Sequence, residues 1–204
     1  AFLQRGKVMR KKIILASGSP RRREILKNIG FDFETFVSNA DESAVSPDGI
    51  PVGVYVQELA MLKAASSAGE SEDDAIFIGA DTVVSLDGKI LTKPSDDSEA
   101  FEMLKMLSGK AHEVYTGICV LNKSDMKSVC RSECTKVVFS TLSDEIINAY
   151  IKTGEPSDKA GAYGIQGKGA LLIEKIEGDY FNVVGLPIKL LSEILRDEFD
   201  YDMM

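Results

Sequence analysis

Leu15-Ala-Ser-Gly-Ser-Pro-Arg-Arg-Arg23 is the stretch from which the rest of the chain can be ordered. Before it, Lys12-Ile-Ile-Leu15 is a short apolar run that reads as a buried strand. After it, Glu24 to Ile29 continues a short helix, with Ser19 in the cap position, Pro20 in the first turn and Gly30 just past the end. A strand–loop–helix turn presents free backbone N–H groups at the positive end of a helix dipole, which suits an anion. Ser17 and Ser19 add hydroxyls, and Arg21 and Arg22 add guanidinium forks that match phosphate oxygens in pairs. A capped surface helix with a solvated basic turn is the plainer reading. Adjacent arginines at a helix N-terminus oppose its dipole, however, and that local cost favours a bound anion.

With 204 residues, the chain can bury one sizeable core or two small lobes sharing a cleft. A net charge of −8 argues against a broad basic surface for polymeric nucleic acid. A small anionic ligand would need its cations gathered locally. No apolar run approaches membrane-spanning length and no secretory pattern precedes the first strand, so neither membrane nor export is expected. Three cysteines, Cys119, Cys130 and Cys134, make no disulfide framework and fit a reducing, cytoplasmic compartment with packing roles. His112 is the only histidine, which excludes mechanisms built on two. Its place in an alternating strand points to a structural role. Residues 1–11 read as a tag or disordered N-terminus, 12–199 as a single domain, and 200–204 as a frayed tail.

Taken in order, Phe31 to Val37 alternates like a strand, and a polar loop follows carrying Asp41 and Glu42. Pro51 to Ser66 reads as a helix with Tyr55, Leu59 and Leu62 as its buried stripe, and Lys63 flanks that stripe. Ala75 to Ala80 reads as a central strand that ends in Asp81-Thr82, the place where open α/β sheets put ligands. Asp87-Gly88 signals a hairpin, whose return places Lys93 towards Asp81. A helix over 96–107 precedes two alternating runs, 112–121 and 126–140. Ser143 caps a helix with Ile146, Ile147, Tyr150 and Ile151 apolar, closed by Gly154. In Asp158-Lys-Ala-Gly-Ala-Tyr-Gly-Ile-Gln-Gly167, Gln166 reads as buried among small residues where backbone approaches a ligand. Strands over 170–176 and 180–184 and a final helix from Pro187 complete an α/β unit with a long mixed or antiparallel sheet.

The singled-out cations and the acids Glu42 and Asp81 are the parts of phosphoryl chemistry with a divalent ion. Hard oxygen donors favour Mg²⁺ or Mn²⁺ over zinc. No P-loop pattern is present. The residues alone lead as far as a small phosphorylated ligand.

Ser17-Gly-Ser-Pro-Arg-Arg22 also resembles the opening signature of the Maf family of nucleoside triphosphate pyrophosphatases. Gly79-Ala-Asp-Thr-Val83, Leu91-Thr-Lys-Pro94, the Asp158 to Gly167 stretch and Asn182-Val-Val-Gly-Leu-Pro187 resemble its later motifs, in order, across nearly the whole chain. The resemblance implies an α/β fold related to inosine triphosphate pyrophosphatases, with two lobes around a central cleft. It implies cleavage of a nucleoside triphosphate between its α and β phosphorus atoms. The Asp158 to Gln166 motif is similar to that of the branch acting on dTTP and UTP. Under this resemblance Asp81 is the proton acceptor, and Glu42 and Asp81 hold the divalent ion. Arg22, Lys63 and Lys93 stabilise phosphate charge, while Arg21, Thr82 and Gln166 discriminate the base. Family members are often dimeric, so a homodimer is expected. The competing class is a non-catalytic nucleotide-binding regulator of cell division, which would not need Asp81.

Overall fold

The computed structural model describes residues 11–204. The tag or disordered N-terminus expected over residues 1–11 falls mostly on residues 1–10, which lie outside the described residues. Lys11 itself belongs to the fold, with its Nζ 2.9 Å from Asp74 Oδ1. The described chain is a mixed α/β unit built on one open sheet. Its strands are β1 (Lys12–Leu15), β2 (Glu34–Thr35), β3 (Ala75–Leu86), β4 (Lys89–Leu91), β5 (Ala111–Asn122), β6 (Ser128–Phe139) and β7 (Ile173–Glu177). The order is β2-β1-β3-β5-β6-β7, with β4 paired to β3. β1 is parallel to β2 and β3, whereas β5 is antiparallel to β3 and β6.

Helices cover both faces. α2 (Val52–Glu70) lies against one face, over Phe77, Cys119 and Leu121. α1 (Pro20–Asn28) and α6 (Ile188–Phe199) bury Ile25, Leu26, Leu191, Ile194 and Leu195 on the opposite face, against Ile76, Ile78, Ile118 and Val120. Each such side chain, fully buried, is worth about 1.5–3 kcal/mol. Further along that face, α3 (Asp97–Leu107) and α4 (Asp144–Ile151) form a second cluster over Val84, Val114, Val137 and Phe139. The two clusters are the two lobes. Among the described residues no helix is long and apolar enough to cross a membrane.

Several sequence expectations are corrected. The strand over 31–37 contracts to Glu34–Thr35, an edge pairing with β1. β3 does not end at Ala80 but runs through Asp81 to Leu86, because β5 pairs with it along Ile76–Ser85. What ends beside Asp81 is β1, whose last paired residue, Leu15, faces Ile78. Tyr180–Val184 is a short helix, α5, and not a strand: Asp179 caps it by accepting from Phe181 N, and Gly185 follows its end. Ile146 is exposed on α4. The acidic tail is held: α6 continues to Phe199, Tyr201 N donates to Leu195 O, and the Tyr201 ring meets Phe31 edge-on. Cys119 stands directly across from Cys130 on the hairpin, and all three cysteines are free thiols.

The expected α2 stripe is also corrected. Tyr55 and Leu62 are only half-buried, and the seated face is Val56, Leu59, Ala60, Ala64, Ser67 and Ala68. Small residues are needed there because the helix backbone touches the sheet. A Cβ on Gly79 would fall 2.0 Å from Ala60 O, and one on Gly117 2.2 Å from Val56 O. Neither contact can yield without moving the helix. Gly117→Ala should therefore lower the melting midpoint by about 5–10 °C. Gly69→Ala, on the same helix with open space around it, should leave the midpoint unchanged or raise it slightly. Thermal melts of the two variants side by side check this.

Candidate active site

The strand–loop–helix turn opens onto a cleft of about 860 Å³ lined from both lobes. Every site residue expected from sequence borders it: Ser17, Ser19, Arg21 and Arg22 from the turn, Glu42, Lys63, Asp81 and Thr82 around the α2 edge, and Lys93 and Gln166 from the far side. They come from segments that only the sheet brings together.

At its centre is a charge triad. Lys63 Nζ lies 2.5 Å from Asp81 Oδ1 and 3.2 Å from Glu42 Oε1. The side chains of Lys63 and Asp81 are only 17 % and 12 % exposed, while Glu42 is 55 % exposed on a turn whose cap, Asp41, accepts from Ser43 N. The close seat of α2 on Gly79 makes the Lys63–Asp81 contact possible. Asp81 Oδ2 makes no hydrogen bond among the described residues and is available to a ligand or water. The two acids converge, but the described residues contain no group of three or more His, Cys, Asp or Glu placed for a metal ion. Desolvation, then the charges of Asp81 and Glu42, raise the pKa of Tyr55, another residue of the cleft wall.

Arg22 is placed differently from the expected phosphate fork. It is buried, and four of its five N–H groups are taken inside the protein. Nε donates to Gly185 O at 2.7 Å, one terminal nitrogen to Ser17 Oγ at 3.1 Å and Ala80 O at 2.9 Å, and the other to Thr82 Oγ1 at 3.0 Å. Burial pulls its pKa below the ordinary arginine value, and the nearby Asp81 charge partly offsets this. Ser17 Oγ also accepts from Ser19 N, so Ser17 organises the turn, and Ser19 occupies the cap position without a side-chain capping bond.

The remaining cations divide by partner. Arg21 reaches across the cleft to Asp158 at 3.0 Å, and Asp158 also accepts from Lys159 at 2.7 Å. Lys93 is exposed and has no ion-pair partner among the described residues. Gln166 is not buried: the glycines around it pack tightly, and its own side chain stands exposed on the cleft lip. His112 is buried against Tyr163, with Nε2 2.7 Å from the hydroxyl, and desolvation lowers its pKa to about 4. That places it outside the chemistry, as the sequence reading expected. The residues the sequence reading missed are Asp158 and Lys159, whose only signal was their position at the head of the glycine-rich motif.

A family model described as Maf-like protein matches residues 12–198. A dTTP/UTP pyrophosphatase of Clostridium novyi (strain NT) is 55 % identical over 186 residues, covering 91 % of this chain and 97 % of that one. One from Thermoanaerobacter sp. (strain X514) is 54 % identical over 193 residues, covering 95 % of this chain and all of its own length. Another, from Alkaliphilus oremlandii (strain OhILAs), is 50 % identical over 194 residues, covering 95 % and 100 %.

The partner counts separate two cations by experiment. Arg22→Lys strands several buried acceptors and should cost about 3 kcal/mol in urea unfolding. Lys93→Ala removes no partner and should stay within about 0.5 kcal/mol of the parent protein.

Proposed function

The chain belongs to the Maf family, and from that premise we propose that it hydrolyses dTTP and UTP to the monophosphate and pyrophosphate. The observation that carries this reading is the Asp81–Lys63–Glu42 triad, set in a cleft whose opposite wall offers the unpaired Lys93. The substrate names are those of the relatives.

A water attacks the α-phosphorus, and the bond from that phosphorus to the α–β bridging oxygen breaks, so that pyrophosphate leaves. Asp81 accepts the water's proton on Oδ2, because Oδ1 is held by Lys63. Lys63 holds that carboxylate in place and aims it. Lys93, together with the α1 N-terminus and the one uncommitted N–H of Arg22, meets the charge gathering on the phosphates. Arg22 otherwise serves as the frame that holds Ser17, Thr82 and the Gly185 backbone in place. Arg21, Thr82 and Gln166 face the base.

Glu42 and Asp81 are hard oxygen donors that converge, and they fit an Mg²⁺ or Mn²⁺ ion completed by substrate oxygens and water. When bound, that ion supplies charge neutralisation on the phosphates. We further assign the protein to the cytoplasm, as a homodimer acting on the nucleotide pool. The regulator reading is the less favoured one, since a binder would not need Asp81 poised by Lys63.

Pyrophosphate release from a panel of nucleoside triphosphates with Mg²⁺ tests the reading. UTP and dTTP should be turned over, and Asp81→Asn should lower kcat about 10³-fold while nucleotide binding changes only a few-fold. Loss of binding in proportion to turnover would remove Asp81 as the base. No release from any nucleotide, with binding intact, would favour the regulator. Gln166→Glu should lower kcat/KM for UTP about tenfold without changing the melting midpoint, because the side chain is exposed. An unchanged substrate ranking would exclude Gln166 from base recognition.

A further inference from the structure

Thr82 Oγ1 is 2.9 Å from Thr116 Oγ1, and either hydroxyl could donate in that bond. The neighbours decide which one does. Thr116 Oγ1 also lies 2.9 Å from the backbone oxygen of Asn182, an acceptor that cannot donate. A threonine hydroxyl has one hydrogen. Thr116 spends it on Asn182, so the hydrogen in the Thr82–Thr116 bond comes from Thr82. Thr82 accepts in turn from the Arg22 guanidinium at 3.0 Å. Its hydrogen and one lone pair are used. What it can still offer the cleft, which it lines half-exposed, is a lone pair.

The directions are locked from behind. Thr116 and Asn182 are both fully buried. The Asn182 side-chain amide donates to Val114 O and Thr135 Oγ1, each at 2.9 Å, and Thr135 Oγ1 accepts from Asp179 N and donates to Asp179 O. These bonds hold Asn182 in place, and turning the Thr116 hydrogen towards Thr82 would leave the buried Asn182 backbone oxygen without its Thr116 donor.

We propose that Thr116 and Asn182 are specificity-determining positioning residues: they hold Thr82 as an obligate acceptor, so that the cleft takes pyrimidines bearing an N3–H and rejects those with an N3 lone pair. Uracil and thymine carry that hydrogen, whereas cytosine presents a lone pair that would meet the lone pair of Thr82. The inference rests on the pyrophosphatase reading and on Thr82 facing the base, and it explains in proton terms how a site could prefer dTTP and UTP.

The test compares kcat/KM for UTP and CTP by pyrophosphate release. The unmodified protein should prefer UTP by at least tenfold. Thr116→Val keeps the shape but removes the acceptor, which frees the Thr82 hydrogen to turn to the ligand. The UTP:CTP ratio should then fall about tenfold, through a gain with CTP as well as a loss with UTP. Thr116→Ser keeps the hydroxyl and should keep the ratio. A general disturbance of the fold would lower both substrates together and leave the ratio unmoved, and that result overturns the proposal. Equal turnover of CTP and UTP by the unmodified protein also overturns it, without any variant having to fold. No release from any triphosphate would instead be a failure of the pyrophosphatase reading.

Discussion

The seat of α2 on the sheet is the contact on which the rest depends. The helix backbone rests on Gly79 and Gly117, with Ala60 O and Val56 O occupying the space where side chains would otherwise stand. That closeness sets the depth of Lys63 and brings its ammonium onto Asp81 in the middle of a long strand. A helix held at the more usual separation by large side chains would leave Asp81 as an acid facing an apolar layer. The glycines are thus as much a part of the site as the charges, although neither lines the cleft.

The cleft is also balanced before anything binds. Lys63 is shared by two acids, Arg21 is paired with Asp158, and Arg22 is absorbed into backbone and hydroxyl oxygens. This explains how a protein with net charge −8 can carry a dense cationic site without a local excess that would strain the fold. Beyond Lys93, which has no ion-pair partner among the described residues, a polyanionic ligand has to exchange partners with groups already engaged. It can do so at modest cost where the existing pair is exposed, as at Arg21 and Asp158, and hardly at all where it is buried, as at Arg22.

Much of this was legible in the residues. The opening turn, the hairpin of β5 and β6, the cap at Ser143 and the ten cleft residues were all named from local pattern and family resemblance. The failures have separate physical causes. Tyr180–Val184 is aromatic and β-branched, and five residues are too few for periodicity to override that appearance; the cap at Asp179 decided it. The α2 face was misjudged because half of its seated residues are alanines, which carry little amphipathic signal. Asp81 seemed to end a strand because a charge breaks an apolar run, but pairing with β5 carries the backbone straight through it. The adjacent arginines looked alike in sequence. Only the tertiary arrangement distinguishes Arg21, which faces the cleft mouth, from Arg22, which faces carbonyl oxygens. Nothing in the local pattern marked Thr116 and Asn182 as the hydrogen-bond chain behind Thr82, since their meaning lies in contacts 66 residues apart.

The acceptors of Arg22 lie 5, 58, 60 and 163 residues away along the chain. Contacts of such range carry the largest loop-closure cost and form late in folding. The last of them, Gly185 O, is synthesised 163 residues after Arg22. Until then a guanidinium destined for burial has no full set of partners. The cleft is therefore framed only once the segment at Gly185 has returned to the opening turn, 163 residues upstream.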